Sequence, residues 1–121
     1  MDLNLTNTTA LVTGASKGIG AAIAHTLACE GADVAICARD AERLQETEQR
    51  LRQVGRRVVA VAADLATADG VQSVVDAVLA RFGRVDILVN NVGGAGGPGG
   101  FMNLRDEHWQ RAWDLNVMAA V

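Results

Sequence analysis

The chain has 121 residues and a formal net charge of −3, and half of its residues are hydrophobic while only 3% are aromatic. That mixed, slightly acidic balance excludes a nucleic-acid footprint or a patch for anionic membranes, and no apolar run approaches the roughly 18 residues of a membrane span. The core must be aliphatic, which suits a parallel sheet covered by helices on both faces.

The first strand-like run, Thr8 to Thr13, is short and mostly apolar or β-branched. The glycine-rich turn Thr13-Gly14-Ala15-Ser16-Lys17-Gly18-Ile19-Gly20 follows, and then a helix with Ile19, Ile23 and Leu27 at four-residue spacing. Gly14 permits a sharp turn, and Gly18 allows close approach to a pyrophosphate. Gly20, with Ala24 and Ala28 below it, lets the helix lie close on the sheet. The helix N-terminus offers unpaired N–H groups and a partial positive charge to phosphate. The spacing differs from Gly-x-Gly-x-x-Gly, and the alternative is an ordinary strand-to-helix turn.

Three further apolar runs alternate with helical patterns: Asp33 to Ala38, Arg57 to Ala63 and Val85 to Asn90. None alternates polar and apolar residues cleanly, as expected of strands buried on both faces. The second helix is polar, with Leu44, Leu51 and Val54 on its inner face. The third carries Val71, Val74, Val75, Val78, Leu79 and Phe82 along one stripe, and a fourth starts near Asp106 with Trp109, Ala112, Trp113, Val117 and Ala120. Right-handed crossovers between such units predict an α/β fold, a Rossmann-like doubly wound parallel sheet in the order 3-2-1-4. Its switch point lies between strands one and four, so the glycine turn and Asn90-Asn91-Val92-Gly93 meet at one crevice. The run Gly93 to Gly100 reads as a mobile loop over it, with Phe101 and Met102 at its base.

Val121 falls inside the fourth helical pattern without a stop signal. The expectation is one dinucleotide-binding domain over residues 1–121, incomplete at its C-terminus and truncated after about four strands and within the fourth helix. Cys29 and Cys37 form no Cys-x-x-Cys pair and read as small buried thiols of a reducing compartment. His25 and His108 lack metal-ligand spacing and read as surface residues, so no metal site is expected.

Taken in order, Thr13-Gly14-x-x-x-Gly18-x-Gly20, Asp64, Asn90-Asn91-Val92-Gly93 and Asn116 resemble the motifs of the short-chain dehydrogenase/reductase family, over its N-terminal, cofactor-binding half. The resemblance implies a cytoplasmic homo-oligomer in the full-length form that moves a hydride between a nicotinamide and a carbonyl or alcohol substrate, 3-oxoacyl thioesters included. It implies a cofactor held by Gly14, Ser16, Lys17, Gly18, Ile19, Gly20, Arg39, Asp64, Leu65, Asn91 and Gly93. Asp64 would accept from the adenine amino group, or else cap the next helix. Asn90 would brace the sheet and Asn91 lie against the cofactor ribose. Val92 stands where the family usually has Ala. Asn116 would be the catalytic residue of this stretch, supporting a water-mediated relay that positions a lysine, or else a helix-bending amide. The family's tyrosine acid has no counterpart here, because the sequence contains no tyrosine. A naturally short, inactive nucleotide-binding or interaction module is the alternative function.

Charge favours NADP(H) over NAD(H). An NAD-type site places a carboxylate at the end of the second strand, where this chain reads Cys37-Ala38-Arg39 and only then Asp40. Arg39 can grip a 2′-phosphate with two parallel hydrogen bonds, and Lys17 adds a second positive charge. The alternatives are a solvated Arg39 or one paired with Asp40.

Overall fold

The β-branched run ahead of the glycine turn becomes the central strand of a parallel sheet. The computed structural model describes residues 2–93 and 101–121, so the glycine loop at 94–100 lies outside the described residues. Strand β1 (Thr9–Thr13) leads through α1 (Gly18–Cys29) to β2 (Asp33–Ala38), through α2 (Ala41–Arg52) to β3 (Val58–Ala62), and through α3 (Ala68–Phe82) to β4 (Ile87–Val89). A 3₁₀ turn (Phe101–Asn103), α4 (Asp106–Asn116) and a second 3₁₀ turn (Met118–Ala120) follow. The sheet order is β3-β2-β1-β4, with every pairing parallel, as the crossover rule predicts.

Burial follows position in the sheet. All five residues of β1 are buried, as are the first five of β2. Val12, Val34 and Ile36 are fully enclosed, each contributing about 1.5–3 kcal/mol over an exposed side chain. At the edge, β4 is shorter than the apolar run Val85 to Asn90, and its Leu88 is 54% exposed. Among the described residues it pairs on one side only, with β1.

The helices bury less than their apolar patterns suggest. In α1 the inner face is Gly20, Ala24 and Ala28. Ile19 is 74% exposed, because the first turn projects past the end of the sheet. In α3 only Val74 and Val78 are buried, while Val71, Val75 and Leu79 are exposed and Phe82 is half-buried. In α2, Leu44, Leu51 and also Thr47 are buried, with Val54 half-buried. No residue of α4 is fully buried. Local signals set the ends. Asp40 accepts from the Arg43 N–H at 3.1 Å to start α2, Thr67 accepts from the Gly70 N–H at 3.0 Å to start α3, and Gly83, at φ 76°, closes α3.

Candidate cofactor crevice

The crevice at the C-terminal ends of β1, β2, β3 and β4 has a volume of about 660 Å³. Its floor is the glycine turn, and the three glycines divide the work. Gly14 takes φ 65°, and a β-carbon there would lie 2.9 Å from the Asn91 carbonyl oxygen. A β-carbon on Gly20 would overlap the Gly14 carbonyl. These two glycines let backbone pack on backbone. Gly18, at φ 60°, has nothing within 4 Å of the corresponding position, so the chain can be approached there from solvent. Lys17 is the N-cap of α1 without any side-chain cap, which leaves the first N–H groups of the helix facing the crevice.

Neighbouring elements lock the turn. The Ala15 N–H donates to the Cys37 carbonyl at 3.2 Å. Thr47 Oγ1 donates to the Ser16 carbonyl at 2.9 Å, so a buried hydroxyl of α2 pins the loop from outside. Asn91 donates its N–H to Thr13 Oγ1 at 3.0 Å and its Nδ2 to the Gly14 carbonyl at 3.1 Å. The bracing role expected of Asn90 is thus filled by Asn91, and Asn90 is exposed at the short edge strand. Asn91 still lines the crevice beside Val92 and Gly93.

The walls carry the other expected residues. Ile19, one of the expected cofactor-holding residues, lines the crevice together with Leu65, which is 7% exposed and packs among Leu11, Cys37 and Val74. Asp64 accepts from the Ala66 N–H at 3.0 Å, and its carbonyl accepts from Thr67 Oγ1 at 2.9 Å. Thr67, and not Asp64, caps α3. Arg39, Asp64 and Leu115 also border an adjoining groove of about 750 Å³ that runs along α4.

Electrostatics decide what the mouth of the crevice can receive. Asp40 caps α2 and pairs with Arg43 at 3.5 Å. Arg39 has no ion pair or hydrogen-bond partner among the described residues, and neither does Lys17. Both side chains line the crevice without a direct ion pair among the described residues, with Asp40 and Asp64 as its carboxylates. Below the floor, burial pushes the Cys37 thiol up to about 11, so it is inert at neutral pH. Cys29, expected to be buried, is exposed because it lies on the outer face of α1, with Sγ 3.6 Å from His25 Nδ1. His25 is exposed as expected, whereas His108 is half-buried and its Nδ1 accepts from the Arg105 N–H at 3.0 Å at the start of α4. No cluster of three or more metal-ligating side chains occurs among the described residues. No helix there is long and apolar enough to cross a membrane.

Asn116 closes α4 facing Gly93, where a β-carbon would lie 2.9 Å from its Oδ1. Its Nδ2 donates to the Ala112 carbonyl at 2.9 Å, and the residue is exposed where the apolar pattern around it suggested burial. Met102, expected near the base of the glycine loop, is 90% exposed. Sequence reasoning missed Thr47 and Gly70. Thr47 carries a signal, falling between Leu44 and Leu51 on the buried stripe of α2. Gly70 carries none, since only the fold brings its α-carbon against the Asp64 carbonyl, which a β-carbon would overlap.

These features suit a phosphate-bearing dinucleotide: open backbone at Gly18, helix N–H groups without a side-chain cap, and two cations with no ion pair among the described residues. A sequence model of the family described as short chain dehydrogenase matches residues 8–121. The chain belongs to the short-chain dehydrogenase family. Among solved structures, L-sorbose reductase from Gluconobacter frateurii, complexed with NADPH and L-sorbose, superimposes with a TM-score of 0.92 at 46% identity, covering 99% of this chain and 46% of that one. An NAD⁺-bound xylitol dehydrogenase superimposes with a TM-score of 0.88 at 31% identity, covering 96% of this chain and 45% of that one. Glucose 1-dehydrogenase 2 from Bacillus subtilis is 39% identical over 115 residues, covering 94% of this chain and 45% of that protein. This short-chain dehydrogenase chain thus spans about half the length, or less, of the relatives it matches.

Proposed function

We propose that the chain is the cofactor-holding portion of an NADP(H)-dependent oxidoreductase that acts on a carbonyl or alcohol, 3-oxoacyl thioesters included. When bound, the nicotinamide supplies or accepts the hydride. The chain's own residues hold and orient it. The backbone from Gly14 to Gly20 and the α1 N-terminus take the pyrophosphate, with Ser16 and Ile19 against it. Asp64 and Leu65 take the adenine, Asn91 and Gly93 border the ribose and nicotinamide, and Asn116 supports the reacting end. No tyrosine stands among the 121 residues, so the phenolic proton donor that the family uses is not supplied by them.

The observation that carries the cofactor choice is the pair of unpartnered cations, Lys17 and Arg39, at the crevice, with Asp40 engaged by Arg43. A 2′-phosphate offers both cations a charge-assisted partner, whereas the ribose hydroxyl of NAD(H) leaves them unanswered. The NADPH held by L-sorbose reductase, at 46% identity, supports the same reading over the NAD⁺ of the more distant xylitol dehydrogenase. Titration by cofactor fluorescence tests it. NADPH is expected to bind at least about tenfold more tightly than NADH, with Arg39→Asp abolishing the difference. Equal affinities for the two cofactors in the unaltered protein would overturn it.

A further inference from the structure

On the far side of the glycine turn, α1 and α2 enclose a second groove of about 420 Å³. It is lined by Lys17, His25 and Arg50 and floored by Ala21 and Ala22, and no carboxylate lines it among the described residues. The hydroxyls present are engaged, Thr26 donating to the Ala22 carbonyl at 3.0 Å and Thr47 to that of Ser16 at 2.9 Å. Arg50, like Lys17, has no acidic partner among the described residues. Arg52, two positions on along the same helix, is held by Glu48 at 2.6 Å. Basic groups gathered in a recess without a counter-charge create a local positive potential that draws in anions. The small floor residues keep the recess open to a molecule of modest size.

Lys17 and Gly18 line this groove and the cofactor crevice alike. Lys17 is the only lysine in the sequence. A flexible stem carrying a compact charge can turn to either side, but it cannot serve both at once.

We propose that the α1–α2 groove is a second anion site, for a small phosphate-bearing molecule, held by Arg50, His25 and Lys17. By drawing Lys17 away, the bound anion weakens NADP(H) selectively and leaves NAD(H) untouched. This coupling rests on the cofactor reading above, while the site itself does not.

Inorganic pyrophosphate is the probe, added at constant ionic strength against chloride, with NMR of the His25 imidazole and the Thr26 amide as the direct readout. Saturable shifts at both are expected, with affinity falling about three- to tenfold in Arg50→Gln. Direct competition at the glycine turn weakens both cofactors alike, so the coupling is read as a loss of NADPH affinity several-fold beyond the loss for NADH, with that excess smaller in Arg50→Gln. Shifts confined to the crevice residues Arg39 and Asp64, or a response identical in Arg50→Gln, would overturn the site. His25 shifts without that excess loss for NADPH would overturn the coupling. Absence of any NADPH preference would sink the cofactor reading and leave the groove standing on its own shifts.

Discussion

The two ends of the sheet treat charge in opposite ways. At the N-terminal end, Asp33 receives Arg57 through Nε at 3.0 Å and Nη2 at 2.8 Å, with Arg56 at 3.7 Å, and Arg57 also covers the Phe82 ring at 5.2 Å. Asp86 likewise holds Arg84 at 2.8 Å and accepts the Thr9 N–H at 2.8 Å. These pairs tie the start of β2 to β3 and the start of β4 to β1. At the C-terminal end, Lys17 and Arg39 form no ion pair among the described residues, although Asp40 and Asp64 line the same crevice, and they stand on a backbone whose glycines leave room above it. Paired charge closes one end of the sheet, and unpaired charge keeps the other ready for a ligand.

The comparison breaks most visibly at Gly20. A β-carbon there would overlap the Gly14 carbonyl and meet Asn91 Nδ2 at 2.6 Å. Because the first clash is with backbone, Gly20→Ala should destabilise the fold by about 3 kcal/mol and abolish nucleotide binding. Urea unfolding and cofactor titration check both. A variant of unchanged stability would mean that α1 can slide along the sheet.

Next in size is Asp33→Ala. The Asp33 side chain is 8% exposed, while that of Arg57 is 60% exposed. The loss should therefore be about 2 kcal/mol, below that of a fully buried pair. Arg39→Gln, at the other end, should change stability by no more than about 0.5 kcal/mol while weakening NADPH. Similar stability losses from the two variants would erase the distinction between the ends.

That distinction was half legible in the sequence. The strand order, the meeting of the glycine turn with Asn91-Val92-Gly93, and Gly20-Ala24-Ala28 as the close-packing face all follow from periodicity and crossover handedness. Periodicity fails where an element reaches past its covering layer. Ile19 has the spacing of a core residue but stands beyond the sheet, and Val71, Val75 and Leu79 face outward from a helix whose partner strand, β3, is an edge. Contacts between distant segments also escape it. That Asn91 and not Asn90 braces the sheet depends on which amide lies over the Gly14 carbonyl. The pairing of Asp40 with Arg43 in preference to Arg39 follows from Asp40 capping α2, which turns its carboxylate along the helix and frees the neighbouring cation. Residue types thus marked the crevice, and capping geometry decided which cations line it without an ion pair among the described residues.

The smallest expected effect concerns the other clamp at the closed end. Hydrogen bonding from Arg84, and then from the Thr9 N–H, holds the Asp86 carboxyl below its ordinary value of 3.8. The folded state therefore binds this proton less readily than the unfolded chain does. Its contribution to stability is fully present above the ordinary carboxylate value and is lost as pH falls through the lower folded value. Asp86→Asn should remove that dependence, so the urea midpoint of the variant should fall less between pH 5 and pH 2 than that of the unaltered protein. The Arg84 side chain is 62% exposed and that of Asp86 27%, so water and salt screen the pair and added salt should narrow the gap between the two curves. Parallel curves at low salt would show that the Arg84 contact does not hold the carboxylate in solution. Closure of that end would then rest on Asp33 alone.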